Sequence, residues 1–133
     1  MNASSVDIKD MLVADTSLSL TFATNLFVGK EPGKPDNSVT IYDTPGFPPY
    51  LGLGGEVGYE YPSVQIIVRN TKQATAWNLI ERIKDSLHGR NHQTWNGTLY
   101  MLIACSSGPA LLEWDDNGNC KFFINFNLQR KPA

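Results

Sequence analysis

Residues Ser4 to Ala14 place Ile8, Met11 and Leu12 at helical spacing, with Asp7 and Asp10 near the start. Ser4 or Ser5 supplies a side-chain acceptor for the free N–H groups, so the segment predicts a short amphipathic helix. From Thr16 to Val28 the period changes. Leu18, Leu20 and Phe22 fall on one side and Ser19 and Thr21 on the other, which predicts a strand. Glu31 to Asn37 reads EPGKPDN, a turn cluster. Val39 to Tyr42 and Ser63 to Arg69 predict two more strands, the second with Val64, Ile66 and Val68 facing one way. Thr71 to Leu87 is the strongest helix, with a stripe of Ala76, Ile80, Ile83 and Leu87 opposite Glu81, Arg82, Lys84 and Asp85. Gly89 suits a left-handed C-terminal cap.

Thr98 to Cys105 is apolar on both faces, which predicts a strand lying centrally in a sheet. Ala110 to Asp115 and Lys121 to Leu128 predict two further strands, joined by Asp116-Asn117-Gly118-Asn119. Asn-Gly is a hairpin signal because both positions tolerate positive φ. Between the second and third strands lies the oddest part of the chain. Residues 44–62 read TPGFPPYLGLGGEVGYEYP, dense in Gly and Pro yet rich in aromatics. Gly and Pro disfavour regular structure there, and a long loop carrying aromatics favours a binding surface over a passive connector. Its candidate contact residues are Phe47, Tyr50, Leu51, Glu56, Tyr59 and Tyr61. The expected architecture is an α+β fold: a mixed, largely antiparallel sheet with two helices packed on it, in one domain spanning residues 1–133.

Composition narrows the function. The 133 residues are 41% hydrophobic and 18% charged, enough to bury a core without disulfides or metals. A formal charge of −2 leaves no basic excess for a nucleic-acid backbone or a membrane surface. No apolar run approaches the length of a membrane span, and residues Met1 to Ser5 lack the start of a signal peptide. With two cysteines, Cys105 and Cys120, the reading is a chain folded in a reducing cytoplasm with thiols that need not pair. Cys105, ending an apolar strand, is expected to be buried; Cys120, beside the hairpin turn, is expected to be partly exposed.

Each chemical motif has a plainer explanation. Gly52 to Gly58 looks like a phosphate loop, but Pro62 and a strand follow it where a helix N-terminus is needed. His88 and His92 have ligand spacing, but Gly89 ends the helix between them. Asp115 to Asn119 begins like a calcium loop, yet the twelfth position, where a bidentate Glu belongs, is Phe126. Trp77, Trp95 and Trp114 read as core or sheet-face aromatics. No catalytic, cofactor or metal site emerges.

Several peptide blocks are distinctive: TNLFVGKEP at Thr24–Pro32, IYDTPG at Ile41–Gly46, YPSVQI at Tyr61–Ile66, LHGR at Leu87–Arg90 and NFNLQR at Asn125–Arg130. Together they resemble the minor capsid family of tailed bacteriophages and prophages that acts in tail completion. The element order is similar to that of phage tail terminator proteins. The resemblance implies a structural virion protein, assembled in the host cytoplasm, that forms a homo-oligomeric ring, a hexamer, at the head–tail junction. Its implied partners are the tail tube protein and a head completion or connector protein, with DNA crossing the channel without specific binding. A long Pro/Gly loop suits an arm onto a neighbouring subunit. Two alternatives stay open: a head-side connector or neck protein, and a small phage-encoded nucleotide-binding domain or enzyme.

Overall fold

The computed structural model describes residues 1–49 and 58–133. Helix α1 spans Ser4–Ala14 and α2 spans Gln73–Leu87. The strands are β1 (Leu26–Val28), β2 (Ser38–Phe47), β3 (Tyr61–Asn70), β4 (Gln93–Trp95), β5 (Thr98–Trp114) and β6 (Cys120–Pro132). They form one six-stranded sheet in the order β1-β2-β3-β6-β5-β4. Only β1–β2 is parallel, so the sheet is mixed and mostly antiparallel, an α+β architecture as expected.

Both helices lie on one face. Along β6 the even positions Phe122, Ile124, Phe126 and Leu128 are buried and the odd ones only half-buried or exposed. Val64, Ile66 and Val68 of β3 continue the buried layer. Ile8, Met11 and Leu12 of α1 and Ile80, Ile83 and Leu87 of α2 pack onto it, all fully buried. Their burial supplies the main driving force, about 1.5–3 kcal/mol for each large aliphatic side chain. Helix α2 ends as its sequence requires: Gly89 adopts φ +90° and donates its N–H to the Ile103 carbonyl at 2.8 Å.

The N-terminus of α1 is held differently from the expectation. Neither Ser4 nor Ser5 caps it locally. Instead Asp43 of β2 accepts from the Ser5 N–H at 2.9 Å and from the Ser5 hydroxyl at 2.6 Å. A carboxylate there also complements the helix dipole. Deeper in, Asp7 is fully buried. It accepts from the Tyr100 hydroxyl and from Asn96 Nδ2 at 2.7 Å. Arg130 adds a bond to the Tyr100 oxygen at 3.3 Å and one to the Asn2 carbonyl at 2.9 Å. Burial first, and then the hydrogen bond to Asp7, pushes the Tyr100 hydroxyl well above its usual pKa.

The alternation over Thr16–Val28 does not make one strand. Asp15 accepts from the Ser17 N–H and hydroxyl, fixing a 3-10 turn at Thr16–Leu18. Asn25 accepts from the Thr21 N–H at 2.7 Å and donates to the Ser19 carbonyl. These local side-chain bonds outcompete a ladder, leaving only Leu26–Val28 as strand. Leu18 and Leu20 still reach the core.

The two strands expected at Thr98–Cys105 and Ala110–Asp115 are one, β5, which continues through Ser106-Ser107-Gly108-Pro109. Register shifts on either side of Ser107 absorb the irregularity. Gly108 has φ +82°, and a Cβ there would lie 2.6 Å from the Phe123 carbonyl, so only glycine fits. Strand β5 is also not central: it lies second from one edge, and β3 and β6 occupy the middle. The edge strand β4 went unread, although Asn96-Gly97, both at positive φ, is the same Asn-Gly signal as the expected hairpin at Asn117-Gly118. That second hairpin forms, with Asp115 Oδ1 accepting the N–H groups of Asn117 and Asn119, each at 2.9 Å.

The cysteine expectation is reversed. Cys120 is fully buried, because β3 and β5 flank it and its Sγ reaches the Asn70 carbonyl. Cys105 is partly exposed, and both are free thiols. Their places on the paired strands β5 and β6 are Cys105↔Phe126 and Trp114↔Cys120, far apart along the ladder.

Three measurements check this account. Tyr100→Phe leaves a buried carboxylate without one donor and is expected to destabilise the fold by about 1–3 kcal/mol in denaturant unfolding. In the native protein a thiol reagent is expected to modify Cys105 and to reach Cys120 only after unfolding, since burial also pushes the Cys120 thiol pKa up. The third concerns pH. Backbone N–H donors, that of Asn119 foremost, hold the Asp115 carboxyl below its usual pKa. Its stabilisation is therefore present above the unfolded carboxylate pKa and lost as pH falls through the lower folded value. Asp115→Asn is expected to melt below the wild type at about pH 7, and the gap to narrow as the pH falls below the ordinary carboxylate pKa.

A candidate contact groove at the base of the β2–β3 hairpin

Among the described residues, the face of the sheet away from the helices is covered at one end. There the turn cluster at residues 31–37 folds across the sheet and Arg69 holds it. Its guanidinium donates to the carbonyls of Pro32, Pro35 and Asp36 and to Glu31 Oε1 at 2.7 Å. Lys121, beside Arg69 in the register, adds an ion pair to Glu31 at 3.0 Å. Thr40 is buried on this face, and Tyr42 is half-buried beside Glu31. Burial, with the Glu31 charge second, pushes the Tyr42 hydroxyl pKa up.

At the other end of the same face large apolar side chains are exposed. The region expected to be loop from Thr44 to Pro62 is strand at both margins: β2 runs to Phe47 and β3 begins at Tyr61. Phe47 pairs with Tyr61 after a bulge that follows Thr44. Gly46 makes this possible, because a Cβ there would lie 2.0 Å from the Tyr61 carbonyl. The returning chain is pinned before β3 starts. Glu60 and Arg130 exchange backbone hydrogen bonds of 2.7 and 3.0 Å, and Glu60 Oε2 accepts from Arg130 Nε at 3.1 Å. The Lys131 ammonium lies 5.4 Å from the centroid of the Tyr59 ring.

These contacts shape a shallow groove of about 180 Å³. Phe47, Tyr61, Leu102 and Ala104 give it apolar walls, and Asn127 and Gln129 give it a polar rim. Phe47 is 71% exposed and Leu102 43% exposed, high values for large apolar side chains. Two of the six expected contact residues, Phe47 and Tyr61, thus meet in one site. Tyr59 flanks it through Lys131. Tyr50, Leu51 and Glu56 lie outside the described residues, as does most of the glycine-rich stretch 52–58. Sequence reasoning missed Leu102 and Ala104. Their strand was expected to lie centrally in the sheet, whereas it lies second from one edge with Leu102 exposed.

The arrangement is suited to contact rather than to chemistry. The buried Asp7–Tyr100–Arg130 network has its partners inside the fold. Among the described residues no group of three or more His, Cys, Asp or Glu side chains could hold a metal ion. His88 Nδ1 accepts the Cys105 N–H at 2.9 Å, tying the end of α2 to β5, and His92 is exposed with φ +50°. Likewise, no helix among the described residues is long and apolar enough to cross a membrane.

A chain in the solved virion of a native gene transfer agent particle is similar in structure, with a TM-score of 0.66. The match covers 97% of this chain and 95% of that one at 14% identity, which makes it a likeness of fold. No curated protein sequence matches. The model of one family, described as bacteriophage tail terminator protein, matches residues 5–132, from the first turn of α1 to the end of β6. Over that span, nearly its whole length, the chain belongs to the bacteriophage tail terminator family and so to the structural proteins of phages.

Proposed function

We propose that this chain is the subunit of a ring, a hexamer, that closes the growing end of the phage tail tube and offers the surface to which the head is joined. Family membership supports the role in the tail. The observation that carries the contact reading is the one-sided layering, which leaves Phe47 and Leu102 exposed beside half-buried Tyr61 on the sheet. Exposed apolar patches rimmed by polar groups mark contact surfaces. In this reading the groove, with Tyr59 beside it, receives the tail tube protein or a neighbouring ring. The subunit works by binding alone, without cofactor or metal. Its net charge of −2 suits a channel that DNA crosses without being held.

The test is electron microscopy of particles from a phage lacking this gene. Tails of irregular length without attached heads are expected, and the wild-type gene should restore joined particles. Leu102→Asp places a charge in the groove without entering the core. It should leave the isolated subunit's melting temperature within the narrow range of a surface change, yet fail to restore joining. Normal, head-bearing tails in the deletion strain would end the terminator reading; full rescue by Leu102→Asp would remove the groove from it.

A further inference from the structure

The groove is not the only uncovered apolar surface. Strand β4 pairs with β5 only over Thr98–Tyr100, and past that point Gly89 and Arg90 satisfy Ile103 while His88 meets Cys105. Among the described residues, no further backbone hydrogen bond from outside the β5–β6 hairpin reaches β5 between Ala110 and Trp114. This free edge reads ALLEW. Leu111 and Leu112, at a register shift, are both exposed, and Trp114 is 51% exposed. Natural sheets blunt free edges with charges, Pro and bulges. Upstream, Pro109 and its bulges do so; here two leucines and a tryptophan are left bare.

A second bare patch sits on the opposite edge of the sheet. Phe22 forms a bridge to Leu26 outside β1, and its ring is 50% exposed beneath the Lys9 ammonium. Lys30 stands exposed just past β1. Strands β1 and β5 are four strand spacings apart, about 19 Å. They differ in charge as well: exposed Lys30 follows β1, while the Lys9 ammonium over Phe22 is shared with Asp10 at 2.9 Å; on the other side exposed Asp116 accompanies the leucines, with Glu113 3.6 Å from Lys121. One subunit cannot bring them together, and neither patch complements itself.

We infer that the β5 edge of one copy, through Leu111, Leu112 and Glu113, docks on the β1 edge of the next copy, through Phe22 and Lys30. Unlike patches that meet head to tail make a heterologous interface, which closes into a ring when the rotation allows. The inference rests on the ring reading above and names the surfaces that would build it.

The test uses the full chain and two surface variants. Leu112→Arg spoils the β5 edge and Phe22→Asp spoils the β1 edge. Each side chain is exposed, so both variants are expected to keep the wild-type circular dichroism; Glu113→Lys replaces Leu112→Arg if that variant melts early. Native mass spectrometry over a concentration series is expected to show wild-type rings and at least tenfold weaker association for either variant alone. An equimolar mixture of the two variants is expected to give heterodimers and nothing larger, because only one intact edge pair remains. A wild-type ring that both single variants still form removes the edge pairing and leaves the ring. Variants that fail alone and also fail to pair when mixed overturn the head-to-tail arrangement. A wild-type chain that stays monomeric at every concentration removes the ring reading, and this inference with it.

Discussion

Two helices cover one face of a six-stranded sheet, so the other face must be dealt with by different means. A sheet in water buries one face easily; its second face is either polar, covered by a loop, or offered to a partner. This chain does the first two over part of the face, and the third is proposed for the rest. Gln65, Asn125 and Asn127 supply polar positions. The turn at residues 31–37, held by Arg69, covers one end. Among the described residues, exposed Phe47 and Leu102 and half-buried Tyr61 make the other end apolar. The exposed groove is thus a direct consequence of the layering rather than an addition to it.

The buried polar groups reflect the same constraint from the inside. Asp7 and Arg130 are expensive to bury, and each is retained with near-complete partnering. They fix the pitch of α1 on the sheet and, through Glu60, the path of the chain entering β3. A hydrophobic seam alone tolerates sliding, whereas a set of directional bonds allows one seating. That seating also fixes the position of Tyr61, so the helix face and the open face are mechanically linked across one strand.

Much of this was legible in the sequence where a single period ran uninterrupted. The α2 stripe from Ala76 to Leu87 and the alternation Val64-Ile66-Val68 appear as read. What failed did so for local reasons. The alternation at Leu18-Leu20-Phe22 was genuine, but Asp15 and Asn25 captured the backbone first. Gly108-Pro109 looked like a break and is a bulge within a long strand. The pairing of Phe47 with Tyr61 depends on Gly46, whose role shows only when Tyr61 is placed beside it. Cys120 was misjudged because proximity to a turn says nothing about the strands on either side. Of the site, the aromatic half was visible as unusual composition. The half from β5 was not, because an apolar strand reads alike whether its neighbours cover it or not.

The position of β6 has a consequence for how the chain is made. It is the last strand in chain order, yet it sits between β3 and β5. Ser63 meets Asn127, 64 positions further along the chain. During synthesis β3 therefore emerges with one edge unpaired and waits for its permanent neighbour until β5 has passed. Contacts of such long separation are slow to form. An incomplete chain lacks the middle of its sheet and not merely a margin, so it has no stable surface to present. Copies that stall or are cut short then withdraw themselves from the pool that can join a particle.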